Sequence, residues 1–244
     1  MPLVNKNIPI EVRNHIREAC RSINVDQVFD PAQMYRFFAL DLTGQGRAPQ
    51  QTTCHGFEHH AMVAEWNRHG FEVYYVVNEL SPFAKTWTND DIVRVRSVWV
   101  DWDTPEKPLP QWPLEPTYKL ETSPKRYQLR WDVDGLSFNE FHAIMVEMVR
   151  LGSDKKARKL AQLLRVPGSL NHKEEYAVQF GGPFQTQVEG SGRRYTRDEI
   201  LKAFLPNGLP PARAAVPAVH PAACEGVASE EFPLADLPRA VSAL

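Results

Sequence analysis

The chain has 244 residues, with 28 Lys and Arg set against 30 Asp and Glu, and 43% of its residues are hydrophobic. That balance is ordinary for a soluble globular protein, and any nucleic-acid-binding surface must be a local basic patch rather than a basic molecule. No apolar run approaches the ~20 residues that span a bilayer, and Met1-Pro2-Leu3-Val4-Asn5-Lys6 has no signal-peptide core, so a cytoplasmic protein without a membrane partner is expected.

Pro9 to Ser22 reads as a first helix, with Val12, Ile16 and Cys20 at helical spacing. Ala32 to Leu42 is a short second segment carrying Phe37, Phe38 and Leu40, and Gly44 to Pro49 is a loop. Residues 56–69 suit a helix with Phe57, Met62, Val63 and Trp66 as its apolar side and Gly70 past its end. Cys54 then falls at the helix start. With His55, His59 and His60 nearby it raises the question of zinc, but the second ligand pair of a structural zinc site is missing. Cys20, Cys54 and Cys224 form no disulfide framework.

Phe71 to Asn78, rich in aromatic and β-branched residues, reads as a strand. After a connection over residues 88–94 comes a central strand, Val95 to Asp103, and then a proline-rich bend. Thr117 to Glu121 and Tyr127 to Val133 form two strands around the turn Ser123-Pro124-Lys125-Arg126. In the second, alternation points Tyr127, Leu129 and Trp131 inward and Gln128 and Arg130 to the other face. Phe138 to Leu151 is the clearest helix, with Phe141, Ile144, Met145, Met148 and Val149 on one side. Lys155 to Leu164 reads as a basic helix broken at Arg165-Val166-Pro167-Gly168. Tyr176 to Phe180 reads as a strand, and Thr196 to Leu205 as a last helix opened by a Thr196/Glu199 capping box. Residues 1–205 are thus expected to form one α+β domain with a mixed or mainly antiparallel sheet. Residues 206–244 hold seven prolines and ten alanines without a periodic apolar face, and read as a flexible tail or linker.

The central strand ends in Val98-Trp99-Val100-Asp101-Trp102-Asp103. Residues two apart share a face of a strand, so Asp101 and Asp103 project together, opposite Trp102. Two carboxylates on an apolar strand suit a divalent metal, and they also suit a plain acidic turn. Asp154 offers either a third acid or an N-cap, with Asp132 and Asp134 as competing third acids. The Ser123–Arg126 turn with Gln128 and Arg130 supplies donors for phosphate oxygens, or a solvated basic hairpin. Lys155, Lys156, Arg158, Lys159 and Arg165 place five cations within eleven residues, a local field that suits a nucleic-acid backbone or a triphosphate.

Three stretches together resemble the archaeo-eukaryotic primase superfamily, in its plasmid RepB-like and phage primase-polymerase branch. The Val98–Asp103 strand is similar to the family's first motif. Ser123-Pro124-Lys125-Arg126-Tyr127-Gln128-Leu129-Arg130-Trp131 resembles the second, with Gln128 where many members have His. Leu164-Arg165-Val166-Pro167-Gly168-Ser169-Leu170-Asn171-His172-Lys173 resembles the signature after the third.

The resemblance spans about residues 55–180 and implies a two-subdomain core with an RRM-like sheet. It further implies primer synthesis on single-stranded DNA from nucleoside triphosphates, with two Mg2+ or Mn2+ ions held by Asp101, Asp103 and Asp154. Ser123, Lys125, Arg126, Gln128, Arg165, Asn171, His172 and Lys173 would bind nucleotide. The tail suggests a link to a helicase or accessory domain. The competing readings are a noncatalytic single-strand-binding replication-initiation module and a metal-dependent nuclease. A relaxase fits less well, because His59 and His60 are adjacent rather than flanking a hydrophobic residue.

Overall fold

The computed structural model describes residues 28–42, 44–175, 178 and 181–209. The chain divides into two units, Met1–Pro210 and Pro211–Leu244, and the described residues lie in the first. The expected helix at residues 9–22 lies outside the described residues, as do most of the expected strand at 176–180 and the tail beyond Leu209.

The fold is α+β, with mainly antiparallel sheets and, among the described residues, three α-helices. One sheet has the order β2-β1-β3-β9, built from β1 (Met34–Leu40), β2 (Gln50–His55), β3 (Glu72–Val76) and β9 (Leu163–Arg165). Every neighbouring pair in it is antiparallel. Two short strands, β4 (Glu79–Leu80) and β5 (Ile92–Arg94), pair with each other. The second sheet centres on β8 (Arg126–Asp134), which pairs antiparallel with both β6 (Ser97–Trp102) and β7 (Tyr118–Ser123). β10 (Leu170–Asn171) pairs with β11 (Phe184–Gln185), and β12 (Gln187–Glu189) extends the second sheet beside β7. β13 (Arg194–Thr196) joins the end of β8 in parallel.

The helices are α1 (His60–Arg68), α2 (Phe138–Arg150) and α3 (Arg197–Phe204). α2 and α3 begin as their sequences predict. Ser137 and Thr196 each accept a backbone N–H three residues on, and Glu140 and Glu199 reach back to complete capping boxes, each cap holding its helix by about 1 kcal/mol. Phe141, Ile144, Met145 and Met148 of α2 are buried. Trp99 packs on Phe141 and Trp131 on Phe204. Each fully buried aliphatic side chain, such as Leu129 or Ile144, contributes about 1.5–3 kcal/mol.

Three expectations are corrected. Cys54 does not start a helix: Gln50–His55 is β2, whose run of Gln and Thr lacks an alternating apolar signal because its side chains are largely exposed. Cys54 itself is buried there. Lys155–Arg158 is one 3-10 turn rather than a helix. Leu163–Arg165 must be extended to pair with Tyr74–Val76, and Asn78 and Asn89 take the Leu160 carbonyl and the Ala161 amide. Arg130 does not face solvent. It is buried, donates to Asp132, the Tyr75 hydroxyl and the Val28 carbonyl, and so ties the second sheet to β3. Burial is the largest influence and would lower its guanidinium, but Asp132 and, after it, Tyr75, Tyr118 and Tyr35 together raise it.

Candidate active site

Asp101 lies near the end of β6, directly across the ladder from Gln128 of β8. Opposed residues in a ladder share a face, so the carboxylate and the amide sit side by side. Two further anchors hold the strand end. The Asp101 N–H donates to Ser153 Oγ at 3.1 Å, and the Asp154 N–H donates to the Asp101 carbonyl at 2.9 Å. Ser153 and Asp154 reach this position because just past α2 the chain turns at Gly152, whose φ is +117°, a conformation that favours glycine.

The Asp101 carboxylate is half-buried, and among the described residues no donor hydrogen bonds to it. Burial first, then the Asp103 and Asp154 carboxylates, push it up to about 7, while Lys173 and Arg165 pull the other way. Such a carboxylate is under-compensated, and a cation would stabilise it.

The other two acids are differently placed. Asp103, 62% exposed, is held by Arg126 at 2.6 Å. Asp154 caps the Lys155 turn by accepting the Lys156 N–H, which is the N-cap role foreseen for it. Among the described residues no three His, Cys, Asp or Glu side chains are gathered to hold a metal, around Cys54 or around Asp101. The charge and oxygen chemistry at Asp101 fit a divalent cation. Asp103 fits one only after leaving Arg126.

The second motif is a tight hairpin. Pro124 and Lys125 occupy its tip, and Lys125, with φ +62°, takes the left-handed position of a type II turn. The Lys125 N–H donates to Glu121 Oε1 at 2.9 Å, and its side chain is exposed. Ser123 is buried opposite Arg126 in the register. Gln128 accepts the Arg165 N–H at 3.0 Å through Oε1, so its amide oxygen is committed to the third stretch.

That third stretch fastens the two sheets together. Pro167 and Gly168 (φ +77°) form a turn closed by Ser169, whose N–H and hydroxyl both donate to the Val166 carbonyl. The Arg165 guanidinium is buried against the Glu72 carboxylate and also donates to the Tyr74 hydroxyl. The His172 N–H donates to Glu72, and its Nε2 donates to the Asn67 carbonyl at 2.7 Å. Asn171 is buried and donates to the Thr122 carbonyl at 2.8 Å. Arg165, Asn171 and His172 are therefore engaged within the protein, while Lys173 is exposed and close enough to Asp101 to act on its charge.

Glu72, Asn67, Tyr74 and Ser153 were not foreseen. Asn67 holds Leu170 at both its N–H and its carbonyl. Glu72 did leave a signal: an acid within the apolar run Phe71-Glu72-Val73-Tyr74-Tyr75-Val76 calls for a buried partner.

Residues 103–198 match the family model of the RepB DNA-primase N-terminal domain. The fold is similar to the AEP domain of the cyanophage S-2L primase-polymerase (PrimPol), with a TM-score of 0.52 and 17% identity over 79% of this chain and 97% of that one. Primase RepB′ gives a TM-score of 0.49 and 17% identity, over 73% of this chain and 60% of its own. The catalytic domain of RepB′ in complex with initiator DNA gives 0.45 and 16%, over 81% and 94%. No curated protein sequence matches the chain. Family model and fold bear out the resemblance to the archaeo-eukaryotic primase superfamily, in its RepB-like and phage primase-polymerase branch.

Proposed function

We propose that this protein is a DNA primase or primase-polymerase, a nucleotidyltransferase that makes short primers on single-stranded DNA from nucleoside triphosphates. Its setting would be replication of a plasmid, phage or mobile element. The observation that carries this reading is the half-buried, under-compensated Asp101 carboxylate, flanked by Asp103 and Asp154 and approached by Lys173 and Arg165. The match of residues 103–198 to a primase family supports it.

Asp101, Asp103 and Asp154 would hold two Mg2+ or Mn2+ ions. When bound, such ions supply a lowered pKa at the attacking hydroxyl and neutralise charge on the triphosphate and its leaving pyrophosphate. The chain's own part is placement. Gln128 and Ser153 fix the β6 end, and Lys125, Arg126 and Lys173 bring cations to phosphate oxygens as negative charge gathers there. Lys155, Lys156, Arg158 and Lys159 are exposed beside Asp154 and would bind template backbone. A cytoplasmic location fits this role, and no helix of the described residues is long and apolar enough to cross a membrane. Residues 1–205 would be the catalytic domain, and residues 206–244 a linker to a helicase or accessory domain.

One observation favours a second reading, a noncatalytic single-strand-binding initiation module: Asp103 is tied to Arg126, and the three acids do not converge. De novo synthesis on single-stranded DNA with labelled nucleotides and Mg2+ or Mn2+ separates the two. Short metal-dependent products that vanish in Asp101→Ala/Asp103→Ala are expected. Bound but unextended DNA would establish the binding module, and strand cleavage without nucleotides a nuclease.

A further inference from the structure

Phe83 is 90% exposed, the most exposed large apolar side chain among the described residues. It does not sit on a loose loop. Its N–H donates to Ser81 Oγ, and the Ala84 N–H donates to the Ser81 carbonyl. The Ser81 N–H is held in turn by the Asp91 carbonyl. At the other end Thr86 and Thr88 both donate to the Asp91 carboxylate, the Thr86 carbonyl accepts Arg36, and Trp87 packs on Phe38 with ring centroids 4.4 Å apart. The loop's own hydrogen bonds therefore hold a phenyl ring in water, where it contributes nothing to the core.

Cations stand on the ring's own loop and on a segment bonded to it. Lys85, two residues on, is exposed and makes no ion pair among the described residues. The loop continues into the Asn89–Asp91 turn, where Asn89 Oδ1 accepts the Ala161 N–H. That contact joins it to the segment bearing Lys155, Lys156, Arg158 and Lys159, also exposed and without ion pairs. The acids on the flank are Asp90, which is exposed, and Asp91, whose carboxylate is occupied by Thr86 and Thr88. The basic segment starts at Asp154, whose N–H is bonded to Asp101. A continuous path of chain and hydrogen bonds thus runs from the Asp101 backbone carbonyl, past four cations and through the Asn89 side chain, to Lys85 and Phe83.

We infer that the Ser81–Trp87 loop is a stacking platform for a single-stranded nucleic acid. A base lies on Phe83, and the flanking phosphates lie on Lys85 and the Lys155–Lys159 cations. A π-face flanked by unpaired cations suits this occupant, because every base offers a face to stack and every nucleotide a phosphate to neutralise. The inference deepens the proposed function and rests on its single-stranded template, but binding can be read without catalysis.

The test is fluorescence anisotropy of a labelled oligothymidylate with the full chain, in EDTA, over a salt series. Phe83→Ala should raise Kd about tenfold, the effect of losing one stacked base, and leave the unfolding midpoint unchanged. Phe83→Trp should bind at least as tightly as wild type. Lys85→Ala should flatten the dependence of log K on log salt by about 0.7, one phosphate's share on a single strand. Unchanged oligonucleotide affinity in Phe83→Ala overturns the inference. So does loss of self-association in that variant with oligonucleotide affinity intact, which would make the ring a protein contact. A wild type whose binding depends on Phe83 but which makes no primers would leave the platform standing and sink the primase. A primer-making wild type whose Phe83→Ala variant binds DNA normally would do the reverse.

Discussion

Arg126 Nε lies 2.6 Å from Asp103 Oδ1, so a cation expected to grip phosphate neutralises a carboxylate expected to hold metal. Both groups are partly open to solvent, with 32% and 62% of their side chains exposed. An exposed pair of this kind is worth only about 0.2–1 kcal/mol. Metal and triphosphate arriving together could exchange it at little cost, with Asp103 turning to the metal and Arg126 to the phosphates. Arg126→Ala should therefore bind Mn2+ up to about fivefold more tightly while binding nucleoside triphosphate more weakly. Calorimetric titration of each ligand checks both directions. A variant that loses affinity for both would show that Arg126 supports the site rather than competes for Asp103.

Glu72 and Arg165 form a buried pair at the join between the sheets, with the His172 N–H as a further donor to the same carboxylate. Removing one member leaves the other charge buried and unpaired, which costs about 3–5 kcal/mol. Glu72→Ala should thus be among the most destabilising single changes in the chain, with a reduced midpoint in chemical denaturation at unchanged nucleotide chemistry in whatever fraction stays folded. Glu72→Ala/Arg165→Met should recover part of the loss, because no lone charge remains. A double variant no more stable than the single would show that Arg165 has another partner of equal weight.

The contrast between these two pairs shows what the sequence could reveal. An apolar face at helical spacing located α2, and a capping box located α3, because those signals are local. The Pro167-Gly168 turn was also legible, since only its own residues set its geometry. Glu72 and Asn67 were not singled out, because their partners lie about a hundred positions away. Arg130 was assigned outward because alternation gives a face and cannot say whether that face is covered. Here β3 covers it, and Asp132 makes the burial tolerable. The basic segment was taken as a helix on its local pattern, whereas pairing of Leu163–Arg165 with β3 overrode that pattern. Asp103 was legible as an acid at a strand end, but its Arg126 partner depends on how the hairpin folds back beside β6.

Glu140 links two helix starts and gives a pH signature. Its carboxylate accepts the Ser137 N–H and hydroxyl and the Arg197 guanidinium. The Arg197 hydrogen bond first, opposed next by burial and then joined by the Ser137 groups, holds it below the usual carboxylate range. A depressed folded-state value means stability that is present above the unfolded value of about 4.3 and lost as pH falls through the folded value. Glu140→Gln should therefore lower the thermal midpoint at neutral pH. The gap from wild type should close below pH 4, where wild type loses the same interaction. A gap that persists unchanged into acid would assign the effect to packing instead.

Gly152 connects the end of α2 to the acids. Its φ of +117° disfavours any side chain, and a Cβ there would lie 2.7 Å from Cζ3 of the buried Trp102 ring. Neither partner can yield freely. Trp102 is in β6 between Asp101 and Asp103, and the next two residues of the chain, Ser153 and Asp154, hold the Asp101 backbone. Relief of the clash must move either the strand that carries the acids or the turn that anchors it. Gly152→Ala should lower stability by about 1–3 kcal/mol, the usual range for overpacking. At a temperature where the protein remains folded it should cut primer synthesis more than it cuts binding of single-stranded DNA, because the basic turn survives while the carboxylates lose their register. Circular dichroism melting, oligonucleotide anisotropy and product yield on the same preparation separate these effects, and equal losses in binding and synthesis would trace the defect to unfolding alone.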